Sequence, residues 1–242
     1  MSTSYSISRD VIISAALRKL GVLDLGTTPD ATTVTNAAQS LNILIKAWQS
    51  AGIKLWTIQN YTVTLVSGQK DYIIGPTGTT GVSLVTDKPL KIIQGWNRNN
   101  SVTPAIDTPL NPLSRQEYNI LGSKSSSGMI NSFWYEPSTT YGTVHVYLTP
   151  DATMATNYTL VLVGQRPLGD VSLSTDIPEF PNEWMQALVW GLADELAIEY
   201  DVPVNHRAEI GSKAVKYRTD LEDWDVEINS TFFTPDQRFK GK

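Results

Sequence analysis

The fold is decided first by the stretch DATTVTNAAQSLNILIKAWQSAGIKLW, which runs from Asp30 to Trp56. Its apolar residues recur at intervals of three and four, the spacing that places side chains on one face of a helix. Asp30 can cap the start of this helix, and Gly52 stands where a left-handed residue would end it. The stretch therefore predicts an amphipathic helix that needs a partner to bury its apolar face, which comprises Val34, Ala37, Ala38, Leu41, Leu44, Ile45 and Trp48.

A second long helical signal lies near the other end of the chain, from Pro178 to Tyr200. Pro181 suits the first turn of this helix. Apolar residues surround much of its circumference, which predicts burial on more than one side. Two further helices are expected, one from Ser8 to Leu20 and one that begins at a cap formed by Asn205.

The apolar residues of the last helix follow alternating steps of four and three, which is the 3.5-residue period of a coiled-coil seam. Fewer than three heptads are present, and this favours packing on the chain's own helices over a seam between subunits. The second possibility stays open at this point. The residues of this seam are Ile210, Ala214, Tyr217, Leu221, Trp224 and Ile228.

Strand-like sequence separates the two helical parts. Alternation at Tyr61–Leu65 and again at Asp71–Ile74 predicts a hairpin around the turn SGQK. Ser114 and Glu117 form a capping box, which predicts a short helix. Four more strands are expected, at Leu90–Trp96, Ser132–Glu136, Gly142–Leu148 and Tyr158–Val163.

These elements together predict an α+β protein. An antiparallel helical bundle is built from both ends of the chain, residues 1–56 and 168–229, and residues 57–167 form an inserted antiparallel β domain. Residues 230–242 follow as a carboxyl-terminal arm.

Composition excludes several kinds of chemistry. The chain of 242 residues has no cysteine and two histidines, His145 and His206, so it has no disulfide, thiolate metal site or thiol nucleophile. It contains no Walker loop, nucleophile elbow or paired-histidine metal motif. No cofactor is expected. The sequence offers neither a membrane span nor a secretory signal, which favours a soluble protein made in the cytoplasm.

Charge is unevenly distributed along the chain. Residues 168–229 carry fourteen acidic and four basic residues, a net charge of −10, whereas the whole chain has a net charge of −5. An acidic helical surface is usually a solvated face. The functional alternative is a surface that repels DNA or attracts a basic partner.

Two classes of function other than a structural role have candidate residues. Paired carboxylates for glycoside hydrolysis are available among Glu179, Glu183, Asp194, Glu195 and Glu199. Aromatic platforms for sugar binding are available at Trp96 and Trp134, because the helical positions of Trp48, Trp184, Trp190 and Trp224 predict burial. These residues leave a glycoside hydrolase or a carbohydrate-binding module open as the alternative function.

The last thirteen residues, STFFTPDQRFKGK, have no helical period. They combine three phenylalanines with three basic residues, a composition that suits an arm that becomes ordered on a partner. The residues predicted to bind that partner are Phe232, Phe233, Arg238, Phe239 and Lys240.

The order of five segments resembles the head-to-tail adaptors of short-tailed bacteriophages, also called tail accessory factors or packaged-DNA stabilisation proteins. The resemblance covers about residues 8–200. Its segments are LNILIKAWQSAGIKLW at Leu41–Trp56, VSGQKDYIIGP at Val66–Pro76, PLSRQEY at Pro112–Tyr118, FWYEPSTTYGTVHVYLTP at Phe133–Pro150 and IPEFPNEWMQALVWGLADELAIEY at Ile177–Tyr200.

The resemblance implies a structural protein of the virion, without enzymatic activity, at the junction of head and tail. Such adaptors dock as a ring, typically of twelve subunits, on the portal protein and form a platform for tail nozzle or tail fibre proteins. They help to retain packaged DNA, which passes through the ring without specific binding. Assembly would take place in the host cytoplasm, and no membrane is involved. The portal is the partner implied for the arm. In the same setting, the alternative function is a tail-associated peptidoglycan hydrolase or a carbohydrate-binding module.

Overall fold

The computed structural model describes residues 6–52 and 55–225. Within them the chain forms six α-helices, ten β-strands and two short 3-10 helices, at Leu55–Thr57 and Asn182–Trp184. The α-helices are α1 (Arg9–Leu20), α2 (Ala31–Ser50), α3 (Arg115–Ile120), α4 (Ala152–Asn157), α5 (Met185–Glu199) and α6 (Val204–Trp224). The strands are β1 (Ile58–Thr64), β2 (Asp71–Gly75), β3 (Val82–Val85), β4 (Lys91–Asn99), β5 (Ile106–Pro112), β6 (Ser127–Gly128), β7 (Ser132–Pro137), β8 (Gly142–Tyr147), β9 (Thr149–Pro150) and β10 (Tyr158–Gln165).

An eight-stranded sheet is the principal element of the fold. Its strand order is β1-β10-β4-β5-β7-β8-β2-β3, and the pairs β2–β3 and β5–β7 are parallel. The edge strands β1 and β3 contact each other, so this mixed sheet is nearly closed, like a barrel. The predicted fold class, a helical bundle with an inserted antiparallel β domain, was therefore wrong. The sheet is larger than expected, and two of its pairings are parallel.

The predicted hairpin of β1 and β2 was also wrong. The two strands follow each other closely in sequence, but β1 pairs with β10 and β2 pairs with β8 and β3. The turn between them therefore redirects the chain to a different part of the sheet. The interior of the sheet is filled by side chains from nearly all of its strands, including Tyr61, Val63, Tyr72, Ile74, Leu110, Phe133, Val144, Val146, Leu160 and Leu162.

The amino-terminal helices follow the sequence expectations closely. Gly21 ends α1 in the left-handed conformation. The Asp30 carboxylate accepts hydrogen bonds from the backbone N–H groups of Thr32 and Thr33 at 2.9 and 3.0 Å, which confirms it as the cap of α2. The prediction that a left-handed Gly52 ends α2 was wrong, because the helix ends at Ser50 and its C-cap, Ala51, is right-handed. The capping box that begins α3 is present with both of its hydrogen bonds.

Helices α1, α2, α5 and α6 share a second hydrophobic core. Nine of the fifteen residues of α5 are buried, which confirms its predicted burial on more than one side. The seam of α6 packs on this core through Ile210, Tyr217 and Leu221, so these seam residues face the chain's own helices, whereas Trp224 is exposed. The helix begins at Val204, directly after Pro203, and not at a cap formed by Asn205. Within the described ranges, no helix combines the length and apolar character needed to cross a membrane.

Polar side chains of α2 form hydrogen bonds with the backbone of the segment that follows β10. The side chain of Asn42 donates to the carbonyl of Val171 at 3.2 Å and accepts from its N–H at 2.9 Å. Lys46 donates to the carbonyl of Leu168 at 2.6 Å, and Gln49 accepts from the N–H of the same residue at 2.9 Å. The returning segment is thereby fixed against α2, and it leads directly to Phe180 and α5.

Candidate functional site

An apolar groove lies beside the last turn of α6, where the described chain ends. Leu55, Trp56, Pro181, Trp224 and Asp225 line a cavity of about 460 Å³. The side chain of Trp224 is 66% exposed, although the seam pattern predicted its burial. An exposed tryptophan beside other apolar side chains is typical of a surface that binds a partner.

Aromatic rings behind the groove build its inner wall. The ring of Trp56 lies 5.0 Å from that of Trp184 and 5.7 Å from that of Phe180, measured between centroids. Trp184 is fully buried, and its ring lies 5.9 Å from that of Trp48 on α2. The indole N–H of Trp56 donates to the carbonyl of Glu179 at 3.2 Å. The wall therefore belongs to the helical core and is contributed by three separate segments of the chain.

Glu179 holds the segment that carries Phe180 and Pro181. Its carboxylate accepts a hydrogen bond from the guanidinium of Arg166 and another, at 3.4 Å, from the N–H of Gly169. The hydrogen bond from Arg166 is the main reason that the pKa of Glu179 lies below its ordinary value of 4.5. This carboxylate, one of the five candidates for hydrolysis, is therefore occupied by an ion pair that orders the edge of the groove.

The lowered pKa of Glu179 predicts a pH-dependent effect of the substitution Glu179→Gln. A carboxylate with a lower pKa in the folded than in the unfolded chain stabilises the fold above its ordinary pKa of 4.5, and this stabilisation is lost as the pH falls through the folded value. The variant should therefore melt at a lower temperature than the wild type at neutral pH, and the difference should shrink below pH 4.5. Thermal melts over a pH series measure this, with Glu199→Gln at an exposed position of α5 as the control. An equal difference at every pH would contradict the role of the ion pair.

A second cluster of polar and aromatic residues lies on the sheet around His145. Its Nδ1 lies 2.7 Å from Oδ1 of Asp71, and its Nε2 lies 3.3 Å from Oε2 of Glu136. The imidazole stacks on the indole of Trp134 at 4.6 Å between centroids. The guanidinium of Arg115 also lies over the Trp134 ring, 5.6 Å from its centroid. The carboxylates and the imidazole therefore satisfy one another.

The sequence did not reveal this cluster, because strand register creates it. Asp71 on β2 and Trp134 on β7 each lie directly opposite His145 on β8. Glu136 lies on the diagonal, since its direct partner is Thr143. Cross-strand neighbours of this kind contact each other, but the pairing of β8 with both strands must be known first. His145 is thus a strand histidine with both ring nitrogens close to carboxylate oxygens.

The remaining four candidate carboxylates do not all lie in one site. Glu183 lies in the 3-10 helix before α5 and Glu199 ends α5, so they lie about 24 Å apart at a helical rise of about 1.5 Å per residue. Asp194 and Glu195 lie together beside a cavity of about 110 Å³ between α5 and α6, which Arg218 also lines. Among the described residues, no three side chains of the types that bind metals are grouped as a metal site.

The tryptophans proposed as sugar platforms are only partly exposed. Trp96 and Trp134 are both of intermediate burial, and one face of Trp134 is covered by His145. Neither tryptophan therefore presents a free platform of the kind that stacks on sugars.

His206, the second histidine, is exposed, and its Nε2 lies 2.9 Å from the carbonyl of Lys19.

The five residues predicted to bind the portal lie outside the described residues. These are Phe232, Phe233, Arg238, Phe239 and Lys240, all beyond Asp225. Their assignment stays a prediction. No protein-family model matches this chain, and a search of curated proteins finds no match.

Proposed function

We propose that this chain is a structural virion protein that docks as a ring on the portal, at the junction of head and tail. It helps to retain packaged DNA and provides the platform for tail attachment. No catalytic residue is assigned. The protein acts through its surfaces, which contact the portal, neighbouring copies of the chain and the tail proteins.

The negative charge of residues 168–229 is the observation that carries this proposal. This segment has a net charge of −10, to which α5 contributes three acidic residues and no basic residue, whereas α6 carries four of each. Basic contacts to phosphates raise the affinity for DNA, so a conduit that releases DNA rapidly requires the opposite charge. The exposed acidic residues are Glu195, Glu199, Glu209, Asp220 and Asp223.

The long helix α6 supports the ring by leaving most of its surface available. Only Ile210 and Ala214 of its 21 residues are buried, and Val204 and Val215 are 81% and 65% exposed. A closed ring requires two different complementary faces on each subunit. The outer face of α6 is a candidate for one of them.

Assembly on a portal template tests the proposal. We expect the free protein to be largely monomeric and to form a ring only when portal rings are added, because the arm becomes ordered on its partner. Light scattering of the protein alone and of the mixture with the portal encoded in the same genome measures this. A stable ring without the portal would contradict the templating step, and an unchanged portal mass in the mixture would contradict the function.

A hydrolase is the competing function, because Asp194 and Glu195 lie together beside a cavity. Replacement of Glu179, Glu183, Asp194, Glu195 and Glu199, one at a time, by the corresponding amide is expected to leave virion assembly nearly intact wherever the carboxylate is merely solvated. Assembly assays and peptidoglycan lysis assays on the five variants decide between the two functions. A lytic activity that one of these substitutions abolishes would establish the hydrolase instead.

A further inference from the structure

We infer that the free subunit holds its own carboxyl-terminal arm in the groove lined by Leu55, Trp56, Pro181 and Trp224, with Phe232 and Phe233 as the inserted side chains. This inference does not depend on the portal. It assigns an occupant to an apolar surface that is otherwise exposed to water.

The place where the described chain ends is the first argument. Asp225 itself lines the groove, and its Oδ2 accepts a hydrogen bond from the N–H of Leu55 at 3.4 Å. Phe232 and Phe233 follow seven and eight residues later. An extended chain spans about 3.3 to 3.6 Å per residue, so both phenylalanines reach every part of the cavity without rearrangement of α6.

The chemistry of the groove is the second argument. Trp56 and Trp224 offer ring surfaces to an incoming aromatic side chain, and aromatic pairs prefer edge-to-face or offset contact. The cavity of about 460 Å³ falls within the usual size range of pockets that bind small ligands. An apolar pocket with aromatic walls is therefore matched to phenylalanine side chains.

Charge complementarity is the third argument. Residues 230–242 carry three basic residues and one acidic residue. The last turns of α6 expose Asp220 and Asp223. The arm and the helix end therefore attract each other.

Occupation by the chain's own arm is favoured over occupation by another copy. A short tether holds the phenylalanines near the groove at an effective concentration of the order of millimolar, which exceeds ordinary protein concentrations. The ordering of the arm opposes docking through lost backbone entropy, so the contact is reversible. It shields the phenylalanines until a partner takes them.

Disulfide trapping tests this inference cleanly, because the full-length chain has no cysteine of its own. The pair Leu55→Cys with Phe233→Cys places one thiol in the groove and one on the arm. The control pair is Leu25→Cys with Phe233→Cys. Leu25 is 91% exposed and lies before the start of α2, at the opposite end of that helix from Leu55.

The groove pair is expected to form a disulfide within one chain about tenfold faster than the control pair, because proximity raises the effective concentration of the two thiols. Non-reducing gels and mass spectrometry measure the rate and separate bonds within a chain from bonds between chains. Equal rates for the two pairs, or disulfides only between chains, would overturn the inference.

A second variant keeps every described residue unchanged. In the full-length protein, Phe232→Ser combined with Phe233→Ser is expected to increase acrylamide quenching of tryptophan fluorescence, because Trp56 and Trp224 lose their cover. Asp236→Ser in the same arm is the control and should leave quenching unchanged. Quenching of the double variant at the wild-type level would show that the phenylalanines do not occupy the groove.

Discussion

Replacement of Trp184 by alanine is expected to lower the free energy of unfolding by about 3 to 5 kcal/mol, the usual range for loss of a buried aromatic side chain. Trp184 is fully buried, with 0% of its surface accessible to solvent. Its ring contacts those of Trp48, Trp56 and Phe180. The substitution removes the side chain that joins three segments of the helical core.

Chemical denaturation followed by circular dichroism measures this loss. Ile198→Ala is the control, because Ile198 lies on α5 and is 64% exposed. Exposed substitutions of this kind usually change stability by less than about 0.5 kcal/mol. A loss below about 1 kcal/mol for the Trp184 variant would show that the aromatic cluster does not organise the helical core.

Deletion of residues 230–242 is expected to weaken binding to the portal by at least about a hundredfold, since each 1.4 kcal/mol changes affinity about tenfold. Full burial of one phenylalanine contributes about 1.5 to 3 kcal/mol, and the arm contains Phe232, Phe233 and Phe239. The melting temperature should change little, because the arm has no helical or strand period that would tie it to a core. Binding assays and thermal melts on the same preparation separate the two effects.

A shorter deletion provides the matched control. Removal of residues 240–242 eliminates Lys240 and Lys242 but keeps all three phenylalanines. This variant should lose mainly the salt-sensitive part of the association rate. Normal portal binding after the longer deletion would place the docking site elsewhere, and unfolding of that variant would identify the arm as part of the subunit's own core.

The helices were the most predictable part of the fold, because their signals are local. The period of α2 and the hydrogen bonds of Asp30 depend on residues within one or two turns. The capping box of Ser114 and Glu117 is equally local and is present as expected. The prediction that Gly52 ends the helix was wrong, because a right-handed C-cap at Ala51 already ends it.

The sheet was less predictable, because alternation indicates which face a residue occupies and not which strand lies beside it. Strand β8 shows strict alternation of buried and partly buried residues, and it was expected. Strand β5 contains two prolines and buries only Leu110, so it gave no strand signal. Its parallel pairing with β7 is a feature that no local pattern encodes.

The candidate groove depended on both kinds of information. The apolar character of Trp56 and Pro181 is visible in the sequence, but their proximity to Trp224 requires the packing of α6 against the segment before α5. The His145 cluster likewise required the register of three strands. Sequence reasoning therefore identified the participating helices and missed the surfaces that form between distant segments.

Electron microscopy of the protein mixed with its portal tests the proposed adaptor function most directly. Particle averages should show an added ring on one face of the portal, with a cyclic arrangement of subunits around an open channel. The same experiment with the protein that lacks residues 230–242 should show portals without the added ring. Bare portals in the mixture with the intact protein, at concentrations at which both components stay soluble, would contradict the adaptor function.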